Sequence, residues 1–281
     1  MFEYKVENHV SSFLPEGIKW NLVWSDEFDG EELDMTKWSF RHHLFHHEHK
    51  TFVENAAKLD GKGNIVFNIV EKDGKYYSSQ LQTGENFMDR PSSHSDWPIA
   101  PISKPKFMHK YGYYEVRCKM QQKDVWWSAF WLQSPIIGST LNPKISGVEV
   151  DIMESFTPNQ IVPHFIHWNG YGEDHEFENT MGEKRYADEK DNIKLEKTDD
   201  GYHTFAVHWE KDGYTFYVDG KQSGPKLKEA VSDMEQFILI GTECKGWRRE
   251  IPGFAANVSD KDVVTHDSFT VDYVRVFDEV K

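Results

Sequence analysis

Cysteine is scarce. Two residues in 281, Cys118 and Cys244, cannot build a disulfide framework. Both sit in apolar, strand-like runs where buried thiols are ordinary, which favours a reducing compartment. No stretch is long and apolar enough to span a membrane, and none is expected as a partner. The opening residues, MFEYKVENHV, lack a charged segment followed by an apolar one, so the chain is expected in the cytoplasm, or outside the cell if a signal has been removed. Basic residues are outnumbered, 32 Lys and Arg against 47 Asp and Glu, for a net charge of −15. With no long basic run, nucleic acid is excluded as an expected partner, because neutralising phosphates needs clustered cations. The same field disfavours heavily sulfated polysaccharides unless a local basic patch admits them.

Helical periodicity is also nearly missing; only 185–199 and 226–235 could hold short helices. There is no internal repeat and no low-complexity linker, so residues 1–281 read as one domain. What the chain has instead is alternation. Short apolar-alternating runs recur between turn signals such as Asp-Gly at 60, 73, 200, 212 and 219. They predict strands near 20–28, 64–71, 77–83, 110–121, 126–133, 147–156, 163–168, 203–210, 213–219, 236–242 and 268–277. That many strands imply an all-β sandwich of two packed antiparallel sheets. Aromatic residues reach 15%, more than a core alone needs, and a surplus of flat rings suits the faces of sugars.

Residues 147–156 read GVEVDIMESF, with three carboxylates threaded through an apolar run. Strand side chains alternate faces, so Glu149 and Asp151 share one face and Glu154, five residues after Glu149, falls on the other. One bulge residue between Asp151 and Glu154 would return all three acids to a single face, and bulges favour active sites. The pair Glu149 and Glu154 could then converge on one bond, and two carboxyls about 5 to 5.5 Å apart are the apparatus of a retaining glycosidase. The competing reading is the solvent face of an exposed sheet.

Several segments resemble glycoside hydrolase family 16 in order. VWWSAFWL (125–132) and GVEVDIME (147–154) are similar to its paired signature, VWSDEFDG (23–30) to its opening strand and FTVDYVRVF (269–277) to its closing strand. YGYYEVR (111–117), HTFAVHW (203–209) and YTFYVDG (214–220) fall between them, so the resemblance runs from about residue 20 onwards. It implies a β-jelly roll, concanavalin A-like, whose concave sheet carries a catalytic cleft. It also implies Glu149 as nucleophile, Glu154 as acid/base and Asp151 holding Glu149 by a hydrogen bond. For the acid role Glu154 must stay protonated near neutral pH.

In the Trp segment, alternation places Trp127 and Trp131 on one face and Trp126 and Phe130 on the other; the family likeness turns Trp127 and Trp131 towards the cleft. His164 and His167, three residues apart, take opposite faces, and the family's histidine beside the acid/base selects His167, with Trp168 or the turn after it bordering the leaving-group side. Five histidines fall in RHHLFHHEH (41–49), without the partner spacing of a zinc site; the resemblance implies a loop against non-reducing-side sugars, with His49 and Glu48 as contacts. TECKGWRR (242–249) offers Glu243, Trp247 and Arg248 as a further subsite, or as exposed loop decoration. This segment departs from the Gly-rich pattern of β-1,3-glucanases. No cofactor is required by this chemistry, while a family-type structural calcium would take Asp272 as a ligand. The expected partner is a β-linked oligo- or polysaccharide, with β-1,3 or mixed-linkage glucan favoured over a β-galactan or agar-type substrate, or transglycosylation. A lectin on the same sandwich is the rival, although a binder has no need of converging carboxyls.

Overall fold

The computed structural model describes the chain except residues 45–46, 49–50, 74, 85–104, 124–125, 245–265 and 281, and gives only backbone at 43, 44, 47, 48, 75 and 244. Two large antiparallel sheets face each other. The first has seven strands in the order Glu176–Asn179, Phe165–Trp168, Glu149–Ser155, Trp126–Gln133, Phe237–Cys244, Ser79–Gln82, Ser39–Phe40. The second has eight, with Lys221–Gln222, Gly213–Val218, His203–Glu210, Gly112–Lys119, Phe269–Glu279, Ile65–Phe67 and Ala57–Leu59 in sequence, and Trp20–Asp26 also paired to Phe269–Glu279. This is the jelly-roll sandwich that alternation predicts. The predicted run at 64–71 divides: Ile65–Phe67 joins the second sheet, while Val70–Lys72 forms a separate hairpin with Lys75–Tyr77.

The core lies between the sheets, where period-two alternation sends one side of every strand. Trp126, Phe130, Val150, Ile152 and Met153 from the first sheet meet Tyr114, Val116, Phe205, Val207, Phe216, Val274 and Val276 from the second. Each large side chain fully buried in this way stabilises the fold by roughly 1.5–3 kcal/mol. The outer face of the second sheet is covered in part by the N-terminal segment, where Leu14 and Trp20 pack on Tyr113, Ala206 and Phe277.

Neither predicted helix forms. Residues 185–199 hold the 3-10 turn Glu189–Asp191 and the two-residue strand Ile193–Lys194, paired with Gln160–Ile161, and 226–235 hold no helix; both segments are pinned by polar and backbone contacts rather than by an apolar stripe. Lys226 instead binds Glu210 and Asp212, and Leu227 exchanges backbone hydrogen bonds with Tyr214. A short helix does form at Pro143–Ser146, where Asn142 caps Lys144 N–H and proline stands in the first turn. It leads through Gly147, at φ +75°, into the acid-bearing strand; a Cβ there would stand 2.2 Å from the Ser134 Cβ. Only glycine fits that close return.

Beneath the N-terminal segment lies a buried polar layer. Arg275 is bidentate to Glu27 at 3.0 and 2.7 Å and donates to Val10 O and Ser12 Oγ, both at 2.8 Å. Beside it Tyr273 O–H donates to Glu115 at 2.8 Å. Burial pushes the Glu115 carboxyl from 4.5 up to about 7, despite the opposing pull of Ser12, Tyr273 and Arg275. The folded state therefore keeps a proton that the unfolded chain releases above 4.5, and this contribution to stability is lost as the pH rises through 7. Replacing the group by Glu115→Gln should flatten that slope and, above pH 7, recover roughly 2–3 kcal/mol in denaturant titrations. An unchanged slope would mean the layer is ionised in both states.

Candidate active site

The acid-bearing strand, Glu149–Ser155, is out of step with its neighbour by one residue. Phe130 pairs with Met153 and Trp131 with Asp151, leaving Ile152 as the extra residue of a bulge between Asp151 and Glu154. Ile152 and Met153 consequently both enter the core, fully buried, and Glu154 turns back to the face that carries Glu149 and Asp151. The three carboxylates line one cavity of 570 Å³ on the first sheet.

Strand register explains the shape of the cleft. A row across the sheet runs from Glu154 through Ala129 and Gly241 to Gln80. Its two central residues carry a methyl group and nothing, so the floor is low between the acid and Gln80. Trp127 and Trp131, on the same face as Ala129, line the cavity, while Trp126 and Phe130 are wholly buried on the other face, as alternation predicts. Trp127 N–H donates to Glu154 Oε1 at 2.9 Å, and its ring lies 5.0 Å from Phe156. Glu243 sits across from Trp127 and also lines the cavity.

Glu149 and Asp151 are held by neutral donors. Gln133 Nε2 donates to Glu149 Oε2 at 3.4 Å, and Tyr171 O–H donates to the same oxygen. His167 Nε2 lies 3.2 Å from Asp151 Oδ2, and His167 Nδ1 lies 3.0 Å from His175 Nε2. Burial pushes the Glu149 carboxyl up to about 8, with the Asp151 charge adding to it and His167 and Tyr171 opposing it. Burial alone pushes Asp151 up to about 8. The charge of Asp151 opposes that of Glu149 in this poorly solvated site, so the two carboxyls do not both ionise readily near neutrality. Burial lowers both histidines, His175 to about 4.

The structure brings together Glu149, Asp151, Glu154, Trp127, Trp131, His167 and Glu243 in this cavity. His164 faces the core, stacked 4.5 Å from Phe216 and bonded to Ile152 O and Ser223 Oγ. Trp168 needs correction. It is 7% exposed and belongs to the core, because it is His167's neighbour on a regular strand and must point the opposite way. His49, Trp247 and Arg248 lie outside the described residues. Asp272 does not fit a calcium ligand: its carboxylate is paired with Arg117, whose other nitrogen takes Asp200. Ligand atoms of Glu149, Asp151 and His167 fall within 4.8 Å of one another, as do those of His208, Glu210 and Glu279. Both groups are internally bonded, the second with Lys226 Nζ at 2.7 Å from Glu210.

Among the cavity residues that escaped sequence reasoning are Tyr171, His175 and Tyr186. Tyr171 and His175 follow a turn at Asn169 and Gly170, both left-handed at φ 62° and 74°, that folds the chain after Trp168 back over the cleft. The Asn-Gly pair was the available signal. Tyr186, 59% exposed, stacks 4.6 Å from Phe177. Its loop is braced by Arg185, bonded to Asp191 at 2.7 and 3.0 Å and to Glu183 at 2.6 Å.

A jelly-roll sandwich with converging carboxyls in an aromatic cleft has the architecture of a glycoside hydrolase. The family model for the GH16 domain of β-porphyranases A–D matches residues 20–279. The chain is 27% identical over 282 residues to glucan endo-1,3-beta-glucosidase A1 of Niallia circulans, a match spanning 92% of the chain but only 38% of that protein's length. It is 27% identical over 308 residues to beta-porphyranase B of Phocaeicola plebeius, covering 98% of the chain and 90% of the relative. In fold it resembles the laminarinase of Flavobacterium sp. UMI-01, with a TM-score of 0.61 and 22% identity over 92% of this chain and all of that one. The chain belongs to glycoside hydrolase family 16, a family of retaining endo-acting β-glycan hydrolases.

The two faces of the Trp strand should separate under mutation. Trp126→Ala, which empties core volume, should cost about 3–5 kcal/mol in thermal or denaturant unfolding. Trp127→Ala should leave the melting temperature close to wild type and weaken substrate use. Reversed phenotypes would put the face assignment off by one residue.

Proposed function

We propose that the chain cleaves a β-linked galactan internally by double displacement, with Glu149 as nucleophile and Glu154 as acid/base. The observation that carries the chemistry is the Ile152 bulge, which puts Glu149, Asp151 and Glu154 on one face of one cleft. Glu149 attacks the anomeric carbon while Glu154 protonates the departing oxygen; water deprotonated by Glu154 then cleaves the ester. Because Trp127 N–H occupies Oε1 of Glu154, the proton to be delivered resides on Oε2.

A galactan is favoured over a glucan because the matching family model is the porphyranase one, and because porphyranase B aligns over almost the whole of both chains. The glucan reading stays as the second, supported by equal identity to an endo-1,3-glucanase. A panel of porphyran, agarose, laminarin and mixed-linkage β-glucan, scored by new reducing ends, separates them. Release from porphyran or agarose is expected; cleavage confined to the glucans would replace the galactan reading, and binding without cleavage of any polymer would favour a lectin.

Folded Glu149→Ala and Glu154→Ala should each lose several orders of magnitude in turnover on the cleaved polymer, with Asp151→Asn less impaired. Near-wild-type turnover in either alanine variant removes the assignment. Proton NMR of early products should find the β-anomer first, since carboxyls on one strand face leave no room for a water behind the sugar. Early α-anomer would overturn the double displacement itself.

A further inference from the structure

Directly after the left-handed turn at Asn169 and Gly170, Tyr171 and, four residues later, His175 converge on the two buried carboxyls by different routes. Tyr171 reaches Glu149 directly. His175 reaches Asp151 through His167, in a chain with gaps of 3.0 Å between the imidazoles and 3.2 Å from His167 to Asp151 Oδ2. The His175 ring is sandwiched in place, 5.6 Å from Tyr171 and 6.0 Å from Phe177, and 5.1 Å from His167.

Both imidazoles are neutral at neutral pH, because burial opposes their charge. Between two neutral rings in hydrogen-bond contact, one nitrogen donates and the other accepts. Two arrangements are available. In the first, His175 Nε2–H donates to His167 Nδ1, and His167 Nε2–H donates to Asp151 Oδ2. In the second every bond runs the other way, and Asp151 must carry its proton on Oδ2 to donate to His167. The first is satisfied whether Asp151 is ionised or holds a proton on Oδ1; the second fails as soon as Asp151 ionises. A buried donor or acceptor left without a partner is costly, so the first arrangement prevails across the titration of the acid pair.

We propose that His175 is a positioning residue: its Nε2–H donates to His167 Nδ1 and braces the Nε2–H tautomer of His167, whose own N–H faces Asp151 Oδ2. Its consequence is that a proton on Asp151 sits on Oδ1, off the oxygen facing His167, where it would be locked into the imidazole chain. That catalytic consequence rests on the reading of Glu149 as nucleophile; the tautomer does not.

The test uses the 15N-labelled full chain at neutral pH, with long-range proton–nitrogen spectra reporting which ring nitrogen of His167 is protonated. Wild type should show the Nε2–H form. His175→Phe, which keeps the ring stack and removes the donor, should leave the proton on His167 Nε2 and move the His167 Nδ1 resonance to that of an acceptor without a hydrogen bond; His175→Gln, whose amide restores an N–H, should recover the original signature. On the polymer that wild type cleaves, His175→Phe should lower kcat roughly tenfold with KM little changed, and His175→Gln should regain most of it. An Nδ1–H tautomer in wild type, or a His167 Nδ1 resonance unmoved by His175→Phe in a folded protein, overturns the proposal. Should His175→Phe fail to fold, the wild-type and His175→Gln spectra still decide it. If wild type cleaves no polymer, the hydrolase reading and the catalytic consequence fall together, and the spectra decide the tautomer separately.

Discussion

Everything chemical in this molecule depends on one residue too many in one strand. A regular strand through Glu149 and Asp151 would drive Glu154 into the sandwich interior, where an unpaired carboxylate costs several kcal/mol. Ile152 prevents this by taking the bulge position, and it does so because Ile152 and Met153 are both apolar and both fully buried. Hydrophobic packing between the sheets thus fixes the acid geometry. The strand cannot slip back into regular register without exposing one of these side chains or burying Glu154. A cleft held in this way needs no rigid loop to place its carboxyls, and its precision is inherited from the core.

The same dependence governs what the sequence discloses. The bulge was legible because the spacing of the acids contradicts the strand period, and a contradiction of that kind has few resolutions. The parity of Trp126, Trp127, Phe130 and Trp131 was legible for the same reason, and so was the division of His164 from His167. Trp168 was misread, although the rule that selected His167 for the cleft should have sent its neighbour to the core. Tyr171, His175 and Tyr186 were not legible, since they arrive on loops whose paths depend on a left-handed turn and on Arg185 pairing with Asp191 and Glu183. Nor could the closing strand reveal alone that Asp272 is taken: Arg117 comes from the adjacent strand, where it pairs with Tyr273 in register. Periodicity reports which face a residue takes and is silent on what stands opposite it.

The choice of partners around the buried acids carries a further consequence. Glu149 and Asp151 are met by an amide, a phenol and an imidazole, donors without formal charge. A guanidinium in the same place would hold a carboxyl well below its ordinary range, as Arg185 does for Asp191, pushed down to about 2. Such a carboxylate is permanently ionised and correspondingly reluctant to share its electrons with an electrophile. Neutral donors satisfy the oxygens while leaving burial free to raise both acids to about 8. The strongly acidic chain has cations to spend and places them elsewhere, with Arg275 under the N-terminal segment and Arg117 across the second sheet. Fixed charge pairs fasten the scaffold, and the cleft is left with groups whose protons can move.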